Sequence, residues 1–214
     1  MNVAENLVNA AFYFPDRCAV VEGQREITFA EFNQRSSCIG SALVDAGVEP
    51  GDHVAICAPN SYDWLAFYFG VLKAGAVAVT FSHLLTKSEL IKISADCRPK
   101  ILFTIDEKLD PFEALKNDSD PQLIICDHGD ISLNRFAEKG TANFTSIDRN
   151  RDDTCAILYT GGTTGIPKGA MLSHENLQTS IFNVARYERT TEKDRALCFL
   201  PLNHVFAQIH IMNS

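Results

Sequence analysis

A chain of 214 residues with 46% hydrophobic and 21% charged side chains has the makeup of an ordinary globular protein, large enough to bury a core without disulfide staples. Its net charge of −8 argues against the basic face that nucleic acid requires and disfavours an anionic membrane surface. The seven cysteines are odd in number, form no CxxC and sit mostly in apolar runs, which predicts reduced thiols in a cytoplasmic protein. No basic segment followed by an apolar stretch opens the chain, and no apolar run reaches membrane-spanning length. Neither a signal peptide nor a transmembrane segment is therefore predicted.

Helix and strand signals alternate along the chain. Thr28-Phe-Ala-Glu31 is a capping box, and the periodic Phe32, Ile39, Leu43 and Val44 predict a helix stopped at Gly47. A short buried strand over 53–57 follows, then Pro59-Asn60-Ser61 opening a helix over 62–74 that Gly75 ends. Residues 76–81 read as a strand. Thr86-Lys-Ser-Glu89 caps a helix to about Cys97, Pro99 blocks its continuation, and 100–104 is a strand. A weak helix over 112–116, a strand over 122–126 and a short helix over 133–138 precede a strand over 155–159. Beyond it, 170–172 continues extended, Ser173 caps a helix to about Glu188, 195–200 is one more strand, and a helix begins at Phe206. Strand, helix, strand at short spacing predicts an α/β fold: a layered, mostly parallel sheet flanked by helices. The division expected is an α/β subdomain over 1–150 and a strand–loop–strand plus helix over 151–214.

Between two of these segments lies Tyr159-Thr160-Gly161-Gly162-Thr163-Thr164-Gly165-Ile166-Pro167-Lys168-Gly169. Glycines let backbone N–H groups turn toward a ligand, and successive inward N–H groups make an anion nest. The hydroxyls of Thr160, Thr163 and Thr164 add donors, and Lys168 adds a positive charge. The loop is suited to a polyphosphate. It is not a P-loop of the G-x-x-x-x-G-K-[ST] kind: Pro167 precedes the lysine, Gly169 follows it, and an extended segment stands where a helix should begin. A flexible hairpin without a ligand would not need the lysine.

These residues closely resemble the phosphate-binding signature of the adenylate-forming, or AMP-binding, enzyme superfamily. That superfamily includes acyl-CoA synthetases, peptide-synthetase adenylation domains and firefly luciferase. The similarity runs on through Ala170-Met-Leu-Ser-His-Glu-Asn-Leu177 and Phe199-Leu-Pro-Leu-Asn-His-Val-Phe206. Upstream, Gly51-Asp-His-Val-Ala-Ile-Cys-Ala-Pro-Asn60 and Leu72-Lys-Ala-Gly-Ala-Val77 resemble the early sheet blocks of the family. Gly161 stands where many members carry serine or threonine, a variant that resembles fatty-acyl-CoA ligases.

The resemblance implies an acid–thiol ligase that forms acyl-AMP from a carboxylic acid, a fatty acid here, and ATP, then a thioester with coenzyme A. It implies Thr160, Gly161, Gly162, Thr163, Thr164, Gly165 and Lys168 as nucleotide-binding residues, with Thr160 helping to hold Mg2+. Lys168 would neutralise the triphosphate during the reaction. His204 would orient the carboxylate or touch the α-phosphate; a second reading makes it the cap of the helix that follows. The resemblance also implies elements after Ser214, among them a C-terminal domain with a catalytic lysine. The chain is thus expected to be an incomplete N-terminal domain, inactive alone, with an apolar face that favours a homodimer. A non-catalytic phosphate-binding fragment, and an adenylating enzyme with a non-CoA acceptor, stay open at this point.

Overall fold

Strands whose neighbours cover both faces have no reason to alternate apolar with polar residues. The unbroken apolar runs at 54–57, 77–79 and 101–103 accordingly become the centre of a sheet. The computed structural model describes residues 1–116, 121–160 and 168–209. Within them, β3 (His53–Cys57), β4 (Val77–Thr80), β5 (Ile101–Thr104), β6 (Leu123–Ile125), β7 (Thr154–Thr160) and β8 (Lys168–Ser173) form one six-stranded sheet in the order β6-β5-β3-β4-β7-β8. All neighbours are parallel except the edge pair β7–β8, which is antiparallel.

The side chains of these strands alternate between two cores. Val54, Ile56, Ala78, Ile101 and Phe103 face one layer; Ala55, Cys57, Val77, Val79 and Leu102 face the other. The first layer holds α1 (Glu5–Tyr13), α2 (Phe29–Asp45), α3 (Tyr62–Lys73), α6 (Leu133–Ala137) and the apolar side of α7 (His174–Glu188). The second holds α4 (Lys87–Cys97) and α5 (Leu109–Lys116). This is the layered α/β fold with a mostly parallel sheet that the sequence predicts.

Local chemistry sets the helix starts. The Glu31 N–H donates to Thr28 Oγ1 at 3.2 Å, and its carboxylate accepts the Thr28 N–H at 2.8 Å. Thr86 with Glu89, and Ser173 with Asn176, repeat the arrangement. Each cap is worth about 1 kcal/mol. Helices α2 and α3 cross closely because Gly70 meets Ile39: a Cβ at Gly70 would lie 2.5 Å from Ile39 Cγ2. Beside that crossing, Trp64 stacks on Tyr68 with ring centroids 5.3 Å apart, both fully buried as core.

The N-terminal elements were not legible in the sequence: α1, and the antiparallel hairpin of β1 (Cys18–Glu22) and β2 (Arg25–Thr28). The strand expected over 195–200 is absent among the described residues. An extended segment becomes a strand only by pairing its backbone. Here no described strand lies alongside, and Leu197 and Phe199 are 80% and 74% exposed. The helix expected from Phe206 is present as α8 (Val205–Ala207) and continues as a π turn to residue 209; residues 210–214 of the expected helix lie outside the described residues. No helix among the described residues is long and apolar enough to cross a membrane.

Candidate active site

In an open α/β sheet, a crevice forms at the carboxyl ends where neighbouring strands send their chains to opposite faces. Strands β3 and β4 are such a pair, in register from His53 with Val77 to Ile56 with Thr80. The chain leaving β3 enters α3 on one face; that leaving β4 enters α4 on the other. Residues 200–208 are tied into this crevice by two side-chain amides. Asn60, just past β3, donates from Nδ2 to the Leu200 carbonyl and accepts the Leu202 N–H at Oδ1, both at 2.8 Å. Gln208, fully buried, donates from Nε2 to Thr80 Oγ1 at 3.2 Å and to the Leu202 carbonyl at 3.0 Å. Its Oε1 accepts the Tyr68 hydroxyl at 3.3 Å.

His204 rides on this anchored turn. Its N–H donates to the Pro201 carbonyl at 2.9 Å, and its exposed imidazole accepts the Phe206 N–H at Nδ1, 3.3 Å away. The capping reading of His204 is therefore met. That bond uses Nδ1 alone, and among the described residues no group bonds Nε2. A ligand role for the other nitrogen is compatible with the cap.

Strand β7, next to β4, ends at Thr160, and β8 starts at Lys168. The two residues are paired across the ladder, as are Tyr159 and Gly169. The glycine–threonine segment is thus carried between two antiparallel strands that emerge at the same sheet edge as the His204 turn. Gly161, Gly162, Thr163, Thr164 and Gly165, with Ile166 and Pro167, lie outside the described residues. Lys168 is exposed. A strand follows the loop, which confirms the reading against a P-loop, whose lysine opens a helix.

The stems are held tightly. A Cβ on Gly169 would lie 2.7 Å from Ile157 Cγ2 and 3.3 Å from Tyr159 Cζ, so only glycine lets Tyr159 cross over β8. The Tyr159 hydroxyl donates to the Asp96 carboxylate, and its ring meets Phe81 edge-on at 6.4 Å. Burial, then the Asp96 carboxylate, pushes this hydroxyl well above the usual tyrosine range. Tyr159 is therefore an anchor for the loop and no acid or base at neutral pH.

Titration narrows the remaining candidates. Burial pushes the Cys57, Cys97 and Cys155 thiols up to about 12 and Cys126 to about 11, so none is an activated nucleophile. Burial brings Lys73 down to about 8, the kind of perturbation active sites use. Yet Lys73 ends α3, at the amino edge of the sheet, and its Nζ donates to Ser37 Oγ at 2.8 Å and to Asn33. It braces α2 against α3, away from the crevice. Among the described residues no cluster of three or more His, Cys, Asp or Glu could hold a metal ion.

Sequence reasoning passed over Asn60, Thr80, Tyr68 and Gln208. Asn60 was read only as part of a helix opener. One signal was available: Gln208 is the lone polar residue in Val205-Phe-Ala-Gln-Ile209, one helical turn after His204.

Comparison with known proteins agrees with this geometry. The family described as AMP-binding enzyme matches residues 7–214. 4-Coumarate–CoA ligase 4 of Arabidopsis thaliana is 31% identical over 207 residues, covering 89% of this chain and 36% of that protein. Long-chain-fatty-acid–CoA ligase FadD13 of Mycobacterium tuberculosis is 30% identical, covering 96% and 42%. The crystal structure of ATP-bound MatB from Rhodopseudomonas palustris superposes with a TM-score of 0.86 at 32% identity, covering all of this chain and 43% of that one. The chain therefore spans about two fifths of the length of these relatives.

Proposed function

This chain belongs to the AMP-binding enzyme family, and from that premise we propose that it supplies the ATP-holding part of an acid–CoA ligase. In the whole protein a carboxylate oxygen attacks the α-phosphorus of ATP. One P–O bond forms, the bond to the β-phosphate oxygen breaks, and pyrophosphate leaves. The coenzyme A sulfur then attacks the acyl carbon and its proton is lost; the acyl C–O bond breaks, and AMP departs with that electron pair. The observation that carries this reading is the β7–β8 hairpin, which pairs Thr160 with Lys168 at the edge where the anchored His204 turn emerges.

Backbone N–H groups and hydroxyls of Thr160 through Gly165 would receive the β- and γ-phosphates, and Lys168 would offset their charge. Donors aimed at the leaving pyrophosphate are the largest catalytic contribution expected for such a step. The described residues form no acidic cage, which suits a Mg2+ ion that arrives on the phosphates and keeps most of its waters. The Thr160 hydroxyl would be its protein ligand, and the ion would add charge neutralisation. His204 would meet an oxygen of the carboxylate or the α-phosphate.

A fatty acid is the proposed acid. Support comes from the Tyr-Thr-Gly-Gly opening of the loop and from the similarity to the mycobacterial ligase. The seven free thiols support a cytoplasmic setting. The test is acid-dependent exchange of labelled pyrophosphate into ATP by the whole protein, across short, long and aromatic acids. Exchange that is fastest with long chains is expected; no exchange with any acid would remove the reading. The 214-residue chain alone should give no multiple-turnover thioester.

Self-association is part of the same proposal. Met171, Phe182, Tyr187, Leu197 and Phe199 are between 60% and 90% exposed, apolar side chains that a second copy would cover. In sedimentation the 214-residue chain should run as a dimer or larger. A monomer at every concentration would count against it.

A further inference from the structure

We infer that Gln208 and Asn60 are positioning residues of this site, fixing the 200–204 turn in the β3–β4 crevice and holding His204 with its ring proton on Nε2. The inference rests on the proposed role of His204 in acid activation. It starts from an oddity of burial. Gln208 has no exposed surface, yet it stands in a segment otherwise made of Val205, Phe206, Ala207 and Ile209. An apolar residue would fill that space without needing partners. Among the described residues the amide instead meets Thr80 Oγ1, the Leu202 carbonyl and the Tyr68 hydroxyl.

Those partners also settle which way the amide lies. A carbonyl only accepts, so Nε2 must face Leu202, and Oε1 is left for the Tyr68 O–H. Asn60 is fixed by the same logic, with Nδ2 on the Leu200 carbonyl and Oδ1 on the Leu202 N–H. The two amides thus seize Leu202 from both sides, its carbonyl through Gln208 and its N–H through Asn60. Leu202 itself is buried in the main core. Fully satisfied polar networks of this kind specify one arrangement where apolar packing would tolerate several.

From that fixed point the geometry of His204 follows. Its N–H reaches back to the Pro201 carbonyl, and its own carbonyl accepts the Gln208 N–H at 3.2 Å. The Phe206 N–H then points at Nδ1, which must carry a lone pair to accept it. A neutral imidazole in that state has its proton on Nε2. His204 therefore approaches an anionic oxygen as a hydrogen-bond donor and cannot serve as a general base through Nε2.

The test is a long-range proton–nitrogen spectrum of the 214-residue chain labelled with 15N-histidine, His204 being assigned by its loss in His204→Gln. The wild type should show one tautomer, with the two ring-nitrogen shifts widely separated and the proton on Nε2. In Gln208→Met and Asn60→Ala the two shifts should move toward each other as tautomers mix, while circular dichroism and melting show a folded chain. Tyr68→Phe removes a single hydroxyl and should give a smaller change in the same direction, which keeps the test decisive if Gln208→Met does not fold. Folded variants with the wild-type His204 spectrum, or a wild type protonated on Nδ1, would overturn the inference. Calorimetry with Mg·ATP on the same samples separates the two ideas. No ATP binding by the wild type removes the site reading, whereas ATP binding with unmoved His204 signals removes only the positioning role.

Discussion

Lys168→Ala should weaken binding of Mg·ATP to this chain by about tenfold to a hundredfold in calorimetry. Lysine at this position faces Thr160 across the ladder, so it is carried on a strand and not on the glycine segment itself. The backbone beneath it is already ordered by strand pairing, so ligand binding costs only the rotamer freedom of the side chain itself. A charge-assisted hydrogen bond to phosphate contributes roughly 1.5–3 kcal/mol, and each 1.4 kcal/mol is about a factor of ten. The lysine is exposed, so part of the effect is screened. The Debye length is about 8 Å at physiological salt, and the loss should therefore shrink as salt is raised. Lys168→Arg should retain most of the affinity, because the charge remains. Lys87→Ala is the control, since Lys87 pairs with Asp110 on the α4–α5 layer. Unchanged affinity in Lys168→Ala, with the control also unchanged, would remove Lys168 from the phosphate site.

What could be foreseen for the loop and what could not has a physical pattern. Local chemistry was legible. The capping residues Thr28, Thr86 and Ser173 start helices in the structure because a cap is decided within four residues. The buried strands were legible because continuous apolar runs have one common fate. The extended exit, expected over 170–172 and observed as Lys168–Ser173, separates this loop from a P-loop. Contacts spanning long stretches of sequence were not. Nothing near Gln208 announces that its amide will meet Thr80, 128 residues earlier, or that Asn60 will grip a turn 140 residues on. The strand expected over 195–200 failed in the complementary way. Its composition favours extension, but a strand also needs a neighbour, and composition does not supply one.

Acid should destabilise the fold well before its carboxylates titrate, through His174. This residue opens α7, and its side chain is almost wholly buried. Nδ1 accepts the Val3 N–H at 3.1 Å, tying the first residues of the chain to the start of α7. Burial, and then the nearby Arg149 guanidinium, pushes the imidazole down to about 4. An unfolded histidine titrates near 6.5. Between those values the unfolded chain takes up a proton that the folded chain refuses, so stability is complete above about pH 6.5 and falls as pH drops toward 4. The whole difference is worth at most about 3 kcal/mol, a large share of a domain's net stability. The partly exposed His83 is shifted the same way and acts in the same window with less weight, whereas His128, raised by its bond to Asp106, contributes stability that is fully present below about pH 6.5 and is lost only above it. Urea unfolding at pH 7, 6 and 5 should show a falling midpoint for the wild type. His174→Asn can still accept from Val3 through its amide oxygen but cannot titrate, so it should start lower at pH 7 and lose little more by pH 5. An equally steep fall in His174→Asn would assign the acid sensitivity to other groups.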